Sequence, residues 1–299
     1  LWPYRGTEPV NGPTPMGHEY VGVVEEIGTE VENIKPGDFV VGSFMASDNT
    51  CPICQAGYQS RCAHVEYVGA GGAQADYLRI PLADGTLVAT PGQPDPDLVP
   101  SLLAASDVLG TGWFGAVAAE AGPGKTVTVV GDGAVGLLAV LAAKHLGADR
   151  IIAMSRHESR QKLAREFGAT DIVTERGDEG VARIKELTDG LGAHSVIEAV
   201  GTQESMMQAI RSTRPGGHVG YVGVAHGVEL PGEELFYSGV HLHGGPAPVR
   251  RFLPELIDLI WKREIDPGKV FDLTLPLDQA AEGYKAMDER TAIKVLLRP

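Results

Sequence analysis

Cysteine is nearly absent. Outside residues 51–62 the 299-residue chain has none, and its three, Cys51, Cys54 and Cys62, all fall within "SDNTCPICQAGYQSRC". A sparse, odd, clustered set does not make a secreted disulfide scaffold. It points to metal or redox use in a reducing compartment, so a cytoplasmic location is expected. Basic residues are also in deficit, with 25 Lys plus Arg against 39 Asp plus Glu and a net charge of −14. That balance argues against nucleic acid or an anionic membrane as a surface-wide partner. No apolar run reaches the length of a membrane span, and the opening "LWPYRGTEPV" lacks a charged-then-apolar leader pattern. Internal repeats and low-complexity tracts are missing too; the glycines and prolines are dispersed and read as turns.

What is present has two textures. Up to about residue 109 short β-branched stretches ("YVGVVEEIG", "DFVVGSF") alternate with turns such as "KPGD", the pattern of a rolled or barrel-like β domain. From "SLLAASDVLGTGWFGAVAAEAG", read as helical, the chain turns to alternating apolar strands and amphipathic helices. Residues 110–248 are thus an α/β domain with a parallel sheet covered on both faces. Residues 249–299 open with a helix, "RRFLPELIDLIWKRE", and close with a strand, "AIKVLLRP", that is expected to return to the first domain.

Gly131-Asp132-Gly133-Ala134-Val135-Gly136 is G-x-G-x-x-G, set directly between the strand "TVTVV" and a helix. In that context Gly131 serves the tight turn, Gly133 admits a pyrophosphate to the backbone, and Gly136 lets helix and strand pack closely. The next strand, "RIIAM", runs into Ser155, Arg156 and His157, with Arg160 one turn on and no Asp or Glu at its end. Ser155 and Arg156 suit a ribose 2′-phosphate that a carboxylate would repel, so NADP(H) is expected over NAD(H).

Asp48, Cys51, Cys54 and Cys62 are spaced by 3, 3 and 8 residues. Tetrahedral zinc accepts thiolate and carboxylate alike, which makes the three cysteines zinc ligands and Asp48 either the fourth or a turn residue of "SDNT".

Residues 17–31, "GHEYVGVVEEIGTEV", resemble the G-H-E-x-x-G-x(5)-G-x-x-V signature of zinc-dependent alcohol dehydrogenases in the medium-chain dehydrogenase/reductase superfamily. The match takes in Gly17, His18, Glu19, Gly22, Gly28 and Val31. That family's structural lobe carries four cysteines at the same spacings; here Asp48 stands at the first. The resemblance implies a GroES-like catalytic domain, a Rossmann domain and a return to the first. It also implies zinc-assisted hydride transfer between a small or medium alcohol or aldehyde and the nicotinamide, in a homodimer or homotetramer. It makes His18 and Asp107 ("SDVLGTG") catalytic-zinc ligands and Glu19 a reserve ligand or electrostatic tuner. Thr111 and the backbone near Val222 and Val224 would flank the nicotinamide; Ala134 and Val135 would donate N–H groups to the diphosphate, which Lys294 would also contact. The family's first zinc ligand, a cysteine, would fall about four residues before Leu1. The chain therefore reads as an N-terminally incomplete member, short by roughly 35 to 40 residues. Trp2 stands where many relatives carry a relay histidine. Trp2, Trp113 and Phe114 are candidates to line a substrate pocket, and His241 and His243 are strand or interface residues. The competing readings are a polyol dehydrogenase and an inert cofactor-binding scaffold that keeps only the structural zinc.

Overall fold

A computed structural model describes residue 1, residues 4–6 and residues 12–299; Trp2 lies outside them. The chain forms two compact units, Leu1–Gly110 with Pro248–Pro299, and Thr111–Ala247. The junctions fall one residue after 109 and one before 249.

The first unit opens with β1 (Val21–Val23) and β2 (Phe39–Gly42), which pair antiparallel with Val21 opposite Val41. The "KPGD" turn between them closes as read, with the Lys35 N–H donating to Asp38 Oδ2 at 3.0 Å and Gly37 at φ +91°. β3 (Met45–Ala46), α1 (Pro52–Gln55) and β4 (Glu66–Tyr67) bracket the cysteine lobe, with β3 and β4 paired antiparallel. Then come α2 (Ala83–Thr86), β5 (Leu87–Ala89) against β2, and α3 (Val99–Ala105). Tyr20, Ile34, Val40, Ala46, Val68 and Leu87 form the core beneath these elements.

The helical reading of "SLLAASDVLGTGWFGAVAAEAG" needs one correction. The helix is broken: α3 stops at Ala105, and α4 (Val108–Ala118) restarts bent by 50°. Ser106 is the cause, because its hydroxyl donates to the Leu103 carbonyl at 2.7 Å, an alternative to the helical ladder that Ser is prone to. No single helix among the described residues is long and apolar enough to cross a membrane.

The second unit continues through β6 (Thr126–Val130), α5 (Ala134–His145), β7 (Arg150–Met154), α6 (Glu158–Glu166), β8 (Asp171–Val173) and α7 (Gly177–Glu186). It then runs through β9 (Ala193–Glu198), α8 (Gln203–Ser212), β10 (Thr213–Tyr221), α9 (Gly232–Ser238) and β11 (His241–Gly244). The six strands are parallel in the order β11-β10-β9-β6-β7-β8. Runs such as "VTVV" and "IIAM" are buried along their whole length because helices cover both faces. Each fully buried Ile there, such as Ile152 or Ile197, contributes about 2 kcal/mol of burial. α8 is fixed at its start by a reciprocal Thr202–Ser205 capping box. It ends at Ser212, earlier than "SMMQAIRSTRPGG" suggested, because β10 takes over from Thr213 and bulges across Pro215.

In the closing segment α10 (Val249–Trp261), β12 (Phe271–Pro276), α11 (Ala280–Asp288) and β13 (Lys294–Arg298) rejoin the first unit, with β12 and β13 paired in parallel. Among the described residues the first unit's strands thus form three small sheets, β1-β2-β5, β3-β4 and β12-β13, and not one closed barrel. Gly and Pro end each extended stretch within a few residues, so no described strand there exceeds six.

Candidate active site and metal centres

Breaking the helix at Ser106 frees Asp107 to face the G-H-E segment. His18 Nε2 lies 2.7 Å from Asp107 Oδ2. His18 Nδ1 meets the Tyr67 hydroxyl at 2.9 Å, so both ring nitrogens are held and the imidazole is fixed in orientation. The His18 ring also packs edge-on against Phe44. Burial lowers the His18 pKa, but the hydrogen bond and charge of Asp107, with the charge of Glu19, outweigh it and raise it overall.

Glu19 completes the group. One carboxylate oxygen accepts a 2.6 Å ion-paired bond from Lys294 Nζ, and the other, Oε2, is buried without a hydrogen-bond partner. His18, Glu19 and Asp107 each bring a ligand atom within 4.8 Å of the others. A buried carboxylate oxygen left unpaired is costly, and two carboxylates beside one imidazole form a donor set that a divalent cation satisfies. Lys294, which the resemblance put at the cofactor diphosphate, spends its charge on Glu19 and also sits 5.8 Å from the Phe271 ring centroid.

The second cluster is the cysteine lobe. Asp48, Cys51, Cys54 and Cys62 also present ligand atoms within 4.8 Å of one another, and all three sulfurs are buried. Backbone amides point at the sulfurs. Cys54 and Ala63 N–H donate to Cys51 Sγ at 3.5 Å, and His64 N–H donates to Cys62 Sγ at 3.3 Å. The Ala63 and Cys54 amides bring the Cys51 thiol down to about 7. Burial, with the neighbouring sulfurs, pushes the Cys54 thiol up. A bound cation offsets that, since a coordinating thiol is deprotonated outright. Asp48 Oδ1 accepts from the Thr50 and Cys51 amides while Oδ2 meets His64 Nδ1 at 2.7 Å. Those amides first, and His64 after them, hold its carboxyl well below the usual range. Asp48 is thus both turn residue and candidate ligand. His64, two residues past the last cysteine, went unread in the sequence.

In the second unit the glycine loop follows β6, and residues 199–201 follow β9, its neighbour in the sheet. The strand order reverses direction between these two, the crevice where open parallel sheets bind ligands. Gly131 has φ +123°, and a Cβ on Gly136 would stand 2.1 Å from the Gly131 carbonyl oxygen. A Cβ on Gly133 would meet nothing within 4 Å, and its φ of −75° suits any residue. Gly136 is therefore required by packing, while Gly133 leaves an open cradle of the size a diphosphate fills, beside the first amides of α5. Gly133→Val is accordingly expected to fold with unchanged thermal stability yet bind a dinucleotide at least about tenfold more weakly, as measured by calorimetry. A variant that bound normally would show that the cradle is not used.

Ala134 and Val135 open α5 as expected. Val222 and Val224 follow β10, the Val222 N–H donating to the Glu198 carbonyl at 2.8 Å, and Val224 is exposed. Thr111 is buried on α4. Ser155 is fully buried at the end of β7 and Arg156 is exposed. His241 and His243 lie on β11, the edge strand. Trp113 and Phe114 are core residues and not pocket lining: both are 2% exposed, packed against His145 and His243. Tyr67 was missed because a tyrosine 49 residues from its histidine leaves no local pattern. Asp132, inside the G-x-G motif, went unread, and its carboxylate accepts from Ser155 Oγ at 2.8 Å.

Two family models match the chain: an alcohol dehydrogenase GroES-like domain over residues 2–91 and a zinc-binding dehydrogenase over residues 134–262. Zinc-type alcohol dehydrogenase B of Aspergillus flavus is 35% identical over 310 residues, spanning 100% of this chain and 72% of that protein. The NADP-dependent isopropanol dehydrogenase of Thermoanaerobacter brockii is 34% identical, across 95% of this chain and 83% of its own. Among solved structures, alcohol dehydrogenase TADH from Thermus sp. ATN1 superposes with a TM-score of 0.87 at 30% identity, covering 99% of this chain and 88% of that one.

Proposed function

Because the chain belongs to the zinc-dependent alcohol dehydrogenases of the medium-chain dehydrogenase/reductase superfamily, we propose that it transfers hydride between a small or medium alcohol or aldehyde and a nicotinamide dinucleotide, with NADP(H) favoured. The observation that carries this is the convergence of His18 Nε2, Asp107 and Glu19 on one point. Zinc, when bound by these donors, supplies a Lewis acid for the negative charge that develops on the substrate oxygen. The residues around it have separate tasks. Tyr67 holds His18 Nδ1 and so leaves Nε2 as the nitrogen that would take the metal, the kind of outer contact that fixes a ligating histidine. Asp107 would add a negative ligand, and Lys294 balances the charge of Glu19. The amides of Ala134 and Val135, at the positive end of α5, suit the cofactor diphosphate. The exposed Arg156 favours a 2′-phosphate, in keeping with the NADP dependence of the isopropanol dehydrogenase relative. A second zinc, with a structural role, would be held in the lobe by Cys51, Cys54, Cys62 and Asp48.

The test is reduction of NADP by a series of small primary and secondary alcohols, followed by absorbance, with zinc content measured on the same sample. Turnover with two zinc ions per chain is the expected result. One zinc per chain and no turnover with any alcohol would instead mark an inert scaffold.

A further inference from the structure

The glycine loop contains one acidic residue, and its side chain turns onto the end of β7. Asp132 Oδ2 accepts a 2.8 Å hydrogen bond from Ser155 Oγ. The Asp132 carbonyl accepts a 3.0 Å bond from Arg160 Nη1, and the same nitrogen lies 3.6 Å from Asp132 Oδ1. Both partners are sheltered, with the Asp132 side chain 15% and that of Arg160 9% exposed. A carboxylate therefore stands at the strand end where "RIIAMSRH" itself has none.

Resting on the reading of this crevice as the dinucleotide site, we propose that Asp132 is a specificity-determining residue. It accepts a hydroxyl of the adenosine ribose and opposes a 2′-phosphate, against the pull of Arg156. Ser155 has a single hydroxyl proton, and Asp132 Oδ2 at 2.8 Å is its nearer acceptor, ahead of the His157 carbonyl at 3.4 Å. A phosphate could gain that proton only by breaking the bond and lying beside the carboxylate. Arg160 is committed to the loop that carries Asp132. Arg156 is different: it is exposed and makes no ion pair among the described residues, so its charge remains for an anion. The two residues pull the preference in opposite directions, which sets a ceiling on discrimination in favour of NADP(H) and keeps NAD(H) usable.

The test compares calorimetric binding of 5′-AMP and adenosine 2′,5′-bisphosphate to the zinc-loaded protein and its Asp132→Asn and Arg156→Ala variants. Asn keeps the shape and an acceptor for Ser155 but removes the charge. The expected result for D132N is a shift of roughly tenfold in the affinity ratio toward the bisphosphate. A brace that merely supports the loop would move both affinities together, so an unchanged ratio overturns the proposal. If D132N fails to fold, Asp132→Ser gives the same readout. Arg156→Ala reads the NADP assignment separately: a fallen bisphosphate affinity supports it, and an unchanged one removes it without touching the effect of D132N. Failure of the unaltered protein to bind either nucleotide overturns both.

Discussion

Asp107→Asn is expected to lower kcat/KM for alcohol oxidation by about a thousandfold while one zinc ion per chain stays bound. The magnitude follows from what the carboxylate does. A catalytic cation contributes several kcal/mol of charge stabilisation, and about 4 kcal/mol corresponds to a factor near a thousand. Asn preserves the bulk of the side chain but removes the negative charge within 2.7 Å of His18 Nε2. The remaining donors are one imidazole and Glu19, whose charge Lys294 already partly satisfies. The lobe shares no residue with this group, so its metal should be unaffected. Retention of both zinc ions with near-normal turnover would show that Asp107 is a structural partner of His18 and nothing more.

Cys54→Ser is expected to act through stability. Cys54 is 2% exposed, and burial pushes its thiol toward the neutral form. Serine there cannot complete a thiolate set, and the lobe has little else to hold it: α1 is four residues long, and the hydrophobic cluster at its centre consists of the three cysteines alone. Structural zinc supplies folding energy outright. Losing about 3 kcal/mol of it should lower the melting temperature by roughly 6–12 °C, or melt the lobe ahead of the rest. The measurements are zinc content, calorimetric melting and the rate of proteolytic cleavage between residues 48 and 64. An unchanged melting curve with one zinc lost would show that the lobe stands without its metal.

The legible parts of this protein are those whose chemistry is local in the chain. Cys51, Cys54 and Cys62 lie within twelve residues, and the glycine loop sits between a strand and a helix that can be recognised without it. The continuous apolar strands of the second unit announced a sheet buried on both faces, because burial on two sides removes alternation. Pairings across long separations were another matter. Asp107 is 89 residues from His18, and only the family signature linked them. The broken helix that carries Asp107 escaped notice because Ala and Leu dominate the segment while one Ser106 hydroxyl decides where it ends. The Lys294 partner among the described residues, Glu19, is 275 residues away and left no sign in the sequence. Trp113 and Phe114 looked like pocket residues because size and aromaticity do not reveal which way a side chain faces on a helix buried on all sides. Asp132 was passed over because the motif treats its position as any residue. The three-dimensional partners, Ser155 and Arg160, give the carboxylate its meaning.

The most direct test of the account is diffraction from zinc-loaded crystals at the zinc absorption edge. Two anomalous peaks per chain are predicted: one at about 2.0–2.2 Å from both His18 Nε2 and an Asp107 carboxylate oxygen, the other among Cys51, Cys54, Cys62 and Asp48. A single peak in the cysteine lobe, with His18 Nε2 still bonded directly to Asp107, would contradict it.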